Sequence, residues 1–143
     1  PIRRKNMIVK DQEGIKEILK NNHVVAIVGY SANEEKGAHY VPKFLKEHGY
    51  QIVPVNPTVT EGLGEKAYAS LKDIPFPVDV VDCFRRPDAM PEIAREAVTI
   101  GAKVLWMQKG IENEEAAKIA SDAGLKVVSD RCMLEQYTEL FLK

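Results

Sequence analysis

Apolar runs of five or six residues alternate along the chain with segments in which apolar positions recur every three or four residues. The runs are VVAIVG (24–29), YQIVPV (50–55), DVVDCF (79–84), KVLWM (103–107) and LKVVS (125–129). Runs this short, apolar at nearly every position, predict strands covered on both faces. Helical periodicity is expected between them at 37–48, from about Asp88 to Ile100, and near 112–123, and the chain closes with helix-like CMLEQYTELFLK. A shorter helix leads the array: in DQEGIKEILK (11–20), Ile15, Ile18 and Leu19 share one face behind Asp11 as N-cap. This alternation predicts a doubly wound α/β domain, a five-stranded parallel sheet with helices on both faces.

The helix-to-strand joints repeat one signal, glycine, in HGYQIV at Gly49, IGAKVLW at Gly101 and AGLKVV at Gly124. Each supplies the left-handed residue that commonly ends a helix. Right-handed crossovers with one reversal of winding predict strand order 3-2-1-4-5. Pro54 sits awkwardly in a strand expected to be interior, because it cannot donate to a ladder. The stretch from Thr58 to Pro77, glycine-rich and then proline-rich, is long for a joint and is expected to lie across the ligand crevice.

Composition narrows the class. The 143 residues suit one domain, and 45% hydrophobic with 29% charged residues argue against disorder. A net charge of -1 offers no general attraction for nucleic acid or a membrane surface. The two cysteines, Cys83 and Cys132, cannot form a disulfide framework and lack the paired spacing of a zinc site, so a reduced, cytoplasmic setting is expected. The basic start PIRRKNMIVK has no apolar stretch of signal-peptide length, no segment reaches membrane-spanning length, and Pro1 fits a chain that has lost its initiator methionine. Residues 1–21 read as an extension with the leading helix, and 22–143 as the domain proper.

In a doubly wound sheet, ligands bind beyond the carboxyl ends of the strands, near the reversal of winding. The residues there are Tyr30, Ser31, Asn33 and Lys36 after the first run, Asn56 and Pro57 after the second, Arg85 and Arg86 after the third, Gln108 and Lys109 after the fourth, and Asp130 and Arg131 after the fifth. Five cations on one edge of a slightly acidic protein favour a ligand with several phosphates. Gly29 lets backbone approach a pyrophosphate, Ser31 and Asn33 offer donors, and the amides opening the next helix complete an anion site. A nicotinamide dinucleotide would call for G-x-G-x-x-G, but Ser31 and Glu34 stand at the second and third glycines. It would also call for an acid after the second strand, where the sequence has Asn56-Pro57. A small NAD(P)-dependent oxidoreductase is therefore the weaker alternative.

VVAIVGYS with Lys36-Gly37, GYQIVPVNP (49–57), YASLKDIP (68–75), VDVVDCFRRP (79–87), IGAKVLWMQKGI (100–111) and VVSDRCM (127–133) together resemble the small CoA-binding-domain proteins. These are related to the amino-terminal domain of the succinyl-CoA synthetase alpha subunit. The resemblance runs from about His23 to Leu134 and implies a Rossmann-like fold with coenzyme A across the carboxyl edge. It further implies that Gly29, Tyr30 and Ser31 contact the pyrophosphate, with Lys36 as a phosphate partner. Asn56, Pro57, Phe84, Arg85 and Arg86 would flank the adenine and phosphorylated ribose, and Met107 and Gln108 the pantetheine arm. Tyr30 departs from the small residue more usual in the family. The ligase domain and the phosphohistidine segment of the synthetase have no counterpart, so a binding or regulatory protein without its own chemistry is expected, with CoA or a short acyl-CoA as ligand.

The remaining candidates read mostly as structural. His23 and His48 fall at a strand start and a helix end, while His39 is offered either to a phosphate or to the surface. Cys83 reads as a core thiol. Cys132, after Arg131 at a helix start, could form a mixed disulfide with the CoA thiol. Of Asp79 and Asp82, one is expected to be a hydrogen-bonded structural carboxylate. Trp106 is expected in the core or an interface, and the last helix's apolar face (Leu134, Tyr137, Leu140, Phe141) either covers its own sheet or supports a homodimer.

Overall fold

The computed structural model describes residues 7–143, so the first six residues of the basic start lie outside the described residues. In chain order the elements are α1 (Gln12–Asn21), β1 (Val24–Val28), α2 (Gly37–Glu47), β2 (Gln51–Val55), β3 (Glu61–Gly62), β4 (Glu65–Lys66), β5 (Val80–Cys83), α3 (Met90–Thr99), β6 (Val104–Met107), α4 (Glu114–Asp122), β7 (Lys126–Val128) and α5 (Met133–Phe141). Asp11 caps α1 as its position predicts, its carboxylate accepting from Gly14 N at 3.2 Å. Gly49, Gly101 and Gly124 all take positive φ.

The fold is a Rossmann-like α/β domain with a parallel five-stranded sheet in the order β2-β1-β5-β6-β7. The winding reverses beside β1, as in the 3-2-1-4-5 pattern, but the place outside β2 is held by one parallel bridge, Val55 to Tyr68. Among the five full strands alone, the order across the sheet is second, first, third, fourth, fifth. The strand at 80–83 therefore lies against β1 rather than outside β2. The connection after β2 forms the β3–β4 hairpin and a 3₁₀ turn at Leu71–Asp73 in place of a crossover helix and full strand. This also corrects the interior placement of Pro54. Gln51 N donates to His23 O and Gly29 N to Val55 O, which turns the odd-numbered residues of β2 toward β1. The missing Pro54 N–H would have faced the nearly open side, where its carbonyl accepts from Tyr68 N at 3.0 Å.

Side chains alternate across the sheet. Ala26, Val28, Val81, Leu105, Met107 and Val127 pack with α3 and α4, whereas Val25, Ile27, Ile52, Val80, Val104 and Trp106 pack with α1, α2 and α5. Ile15, Ile18 and Leu19 of α1 belong to the second layer, so the leading helix is part of the core. Ile8 adds a parallel bridge to Val127 outside β7. Trp106 is buried, its indole N–H donating to Arg131 O at 2.7 Å. Tyr137 on α5 meets Phe44 of α2 and the Tyr50 ring edge-on and stacks on Phe141, so the apolar face of α5 packs against its neighbours in this layer with Leu134, Tyr137, Leu140 and Phe141 half-buried. Asp79 is the structural carboxylate, accepting from the His23 and Val24 amides at 3.1 and 3.0 Å and lying 3.6 Å from Lys103.

The hairpin is anchored by close approach. Gly62 lies under the Tyr30 ring, where an added Cβ would sit 2.8 Å from the hydroxyl oxygen and closer still to ring carbons. Gly62→Ala is expected to lower stability by about 1–3 kcal/mol through overpacking, and an unchanged denaturation midpoint would contradict this contact.

Candidate functional site

The sequence at the carboxyl edge builds a tight turn first. Gly29 takes φ +90°, and a Cβ there would lie 2.9 Å from Arg85 Cδ and 3.0 Å from Phe84 O. Only glycine lets the β1 exit pass this close to the β5 exit. The loop that follows is held internally: Ser31 Oγ accepts from Asn33 N at 3.1 Å, and Asn33 Oδ1 from Glu35 N at 3.0 Å. Pro42, inside α2, cannot donate to the carbonyl four residues back, which belongs to Ala38. Ser31 N donates to that carbonyl instead, at 3.3 Å. A proline in a helix thus frees the acceptor that ties down the loop.

Several expected site residues serve as supports. Tyr30 is 2% exposed, with its hydroxyl 3.3 Å from His39 Nδ1, and that nitrogen also lies 3.0 Å from Ser31 O. His39 is buried beneath the loop, neither at the surface nor open to a phosphate. Asn56 Nδ2 donates to Tyr30 O at 2.8 Å while its Oδ1 accepts from the Thr58 amide and hydroxyl. Met107 is wholly buried in the α3/α4 layer. Gln108 is 5% exposed, and its Oε1 accepts from Met133 N at the start of α5.

The cations divide. Lys36 and Arg85 have exposed side chains that make no hydrogen bond or ion pair among the described residues, and Arg86 is only loosely paired, 3.6 Å from Asp88. Lys109 is paired with Glu135 at 3.3 Å. Arg131 turns away, donating to Lys10 O at 3.0 Å, so it does not face Cys132 as the sequence had suggested. No side chain caps α2 at Lys36, and its first turn carries no acid. The arrangement therefore leaves free positive charge and free amides around Gly29, which suits a phosphate group.

Two hollows flank this crest on opposite faces of the sheet. One, of about 290 Å³, is lined by Val28, Val55, Pro57, Leu71, Ile93 and Arg85, with Ala69, Ser70, Ala89, Glu92 and Glu96 completing it. The other, of about 330 Å³, runs between the starts of α2 and α5 past Lys36, Phe84, Gln108 and Cys132. Pro57 and Phe84, which the sequence had grouped around one base, thus lie in different hollows. The larger hollow beside β7, about 530 Å³, lies away from the reversal, and its lining sets Glu112, Glu114 and Asp130 against Lys10 and Arg131, so it holds no surplus of positive charge. Among the described residues no cluster of three or more His, Cys, Asp or Glu could hold a metal, and no helix is long and apolar enough to cross a membrane. Sequence reasoning missed the α3 contribution, although Ala89, Glu92, Ile93 and Glu96 share the three- and four-residue spacing of one helix face.

A family model described as the CoA binding domain matches residues 23–138. The chain belongs to that family. This CoA-binding-domain protein is 43% identical over 119 residues to YneT of Bacillus subtilis (strain 168), a match covering 83% of this chain and 88% of YneT. It is 33% identical over 128 residues to the ADP-forming acetate–CoA ligase I of Archaeoglobus fulgidus, covering 82% of this chain but 18% of the ligase. Among solved structures it superposes on a hypothetical protein from Pyrococcus horikoshii OT3 with TM-score 0.89 and 41% identity, over 98% of this chain and 97% of that one. The apo dinucleotide-forming acetyl-coenzyme A synthetase 1 of Ca. Korarchaeum cryptofilum aligns with TM-score 0.69 and 27% identity, over 78% of this chain and 26% of the synthetase. The domain thus corresponds to roughly a fifth to a quarter of the two ligases it resembles.

Proposed function

We propose that the protein binds coenzyme A, or a short acyl-CoA, at the carboxyl edge of its sheet, as a binding or regulatory protein in the cytoplasm without intrinsic catalysis. The observation that carries this reading is the pair of unpaired cations, Lys36 and Arg85, beside a turn that only Gly29 can make. A ligand with two linked phosphates and a third on its ribose matches that surplus of positive charge better than a neutral metabolite.

On this reading the pyrophosphate lies over Gly29 and Ser31 at the open amides of α2, with Lys36 beside it. Arg85 and Arg86 meet the ribose phosphate. Adenine enters the α3-side hollow against Pro57, and the pantetheine arm crosses to the hollow lined by Phe84, Gln108 and Cys132. Tyr30 and Asn56 act by holding the loop, and Met107 by packing beneath it. The ligases named above extend far beyond the matching segment, and on this reading groups for any acyl transfer lie outside the domain.

Calorimetric titration of ligand-stripped protein with CoA, dephospho-CoA and NADP tests the proposal. Saturable CoA binding that weakens without the ribose phosphate is expected. Replacing Arg85 and Arg86 together by alanine should reduce CoA affinity by about 100-fold, the scale of one or two lost charge-assisted contacts. No CoA binding beside clear NADP binding would overturn it.

A further inference from the structure

The hollow between the starts of α2 and α5 has an exposed rim and a buried floor. Lys36, Tyr40, Lys109 and Glu135 stand exposed around it, the last two engaged with each other, whereas Val41, Gln108 and Cys132 are buried. Gln108 is pinned in one orientation. The Met133 N–H can only donate, so the side-chain atom 3.1 Å from it is the oxygen, Oε1. Gln108 Nε2 is left with no hydrogen bond among the described residues. Among those residues, the Asp82 oxygens are the only side-chain polar atoms both sealed from solvent and unpartnered. Gln108 Nε2 therefore opens on free space, and the hollow is the space that Gln108 borders. A residue only 5% exposed thus offers the hollow a donor that has no acceptor.

Resting on the CoA reading above, we infer that the ligand is an acyl-CoA rather than free CoA, with Gln108 Nε2 donating to its thioester carbonyl. On that reading the arm enters past the exposed Lys36, beside the pyrophosphate, so its last atoms are the ones that reach the floor. A thioester carbonyl is an acceptor that brings no N–H of its own. A pantetheine amide brings an N–H as well, and the floor has no free side-chain oxygen to meet it, because Gln108 Oε1 is engaged by Met133 N. The thiol that ends free CoA is a weak acceptor and leaves the donor poorly matched. Ala38, Val41 and Ile111 give a short acyl chain apolar contact. Gln108 is thereby the residue that selects the acylated form.

The test titrates acetyl-CoA and S-ethyl-CoA, a thioether in which a methylene replaces the carbonyl, into the wild type, Gln108→Glu and Gln108→Met at pH 8. The wild type should bind acetyl-CoA about 10-fold more tightly, since the thioether covers the amide without giving it an acceptor. Gln108→Glu keeps the oxygen that Met133 N needs but sets an acceptor where the donor stood, so the ratio should fall to one or below. Gln108→Met, of similar length with neither function, should bring it close to one, and in both variants the dependence on the ribose phosphate should stay as in the wild type. Equal binding of the two ligands by the wild type would overturn this inference and leave CoA binding standing. If Gln108→Glu then weakened both ligands alike, the donor would belong to an amide carbonyl of the arm. A ratio unchanged in Gln108→Met would likewise overturn it. Absence of binding by CoA, acetyl-CoA and the thioether alike would overturn the parent reading, and this one with it.

Discussion

Asp82→Asn makes the protein more stable at pH 8 and removes most of the fall in stability that the wild type shows as pH rises. Asp82 sits at the middle of β5 with Ile27 on one side and Trp106 on the other, wholly buried, and neither carboxylate oxygen has a hydrogen-bond partner. Burial alone drives its titration well above the ordinary aspartate value of 3.8. The native chain therefore keeps a proton that the unfolded chain releases, so unfolding sheds a proton and is favoured by rising pH. Below pH 3.8 both states are protonated and no penalty exists. Above it, native stability declines by up to about 1.4 kcal/mol per pH unit until the buried group itself ionises. An amide carries no such linkage. Its own unsatisfied polarity remains, so the gain is near zero at pH 4 and grows toward pH 8 by up to about 1.4 kcal/mol per pH unit. Denaturant unfolding of both proteins at pH 4, 6 and 8 reads this directly. Parallel stability curves would mean that Asp82 is compensated in solution by something the fold does not show. The neighbouring Cys83 thiol, raised by burial and by Asp82, titrates far above neutrality and does not share this window.

Gly29→Ala is expected to cost both stability and ligand binding. The residue's φ of +90° is strained for any side chain, and the new Cβ would press on the Phe84 carbonyl at 3.0 Å and on Arg85 Cδ at 2.9 Å. Arg85 is flexible and can yield, but the Phe84 backbone is held by its own amide, which donates to Val28 O at 2.9 Å. The loop must therefore move away from β5, at a cost of about 2–4 kcal/mol from backbone strain and overpacking. That motion displaces Ser31 and narrows the space assigned to the pyrophosphate, so CoA affinity should fall by at least about 100-fold, a 1 Å misplacement being enough for such a loss. Thermal unfolding and calorimetric titration of one sample separate the two effects. A variant that is destabilised yet binds CoA normally would show that the turn shapes the fold and not the phosphate cradle.

The strands, the helices and their alternation were legible in the sequence because each is a local pattern. The Val- and Ile-rich runs, the three glycines at helix ends and the Asp11 cap all act within a few residues of themselves. The doubly wound class followed, and with it the edge on which Gly29, Lys36, Arg85 and Arg86 stand. What could not be read was which strand neighbours which. The place outside β2 depends on how residues 56–79 are used, and they form a hairpin and a single bridge. That outcome makes β2 nearly an edge, admits Pro54, and brings Arg85 against Gly29. Side-chain direction was equally hidden. Tyr30 and Asn56 stand in the predicted loop but face inward, Arg131 turns to the Lys10 carbonyl, and one wall of the hollow beside Gly29 comes from α3, a helix that no motif marks. Local sequence determines which elements form and which charges gather at one edge, because propensity and periodicity are short-range. Tertiary packing alone decided which of those groups are consumed as supports and which remain free, because that depends on partners distant in the chain.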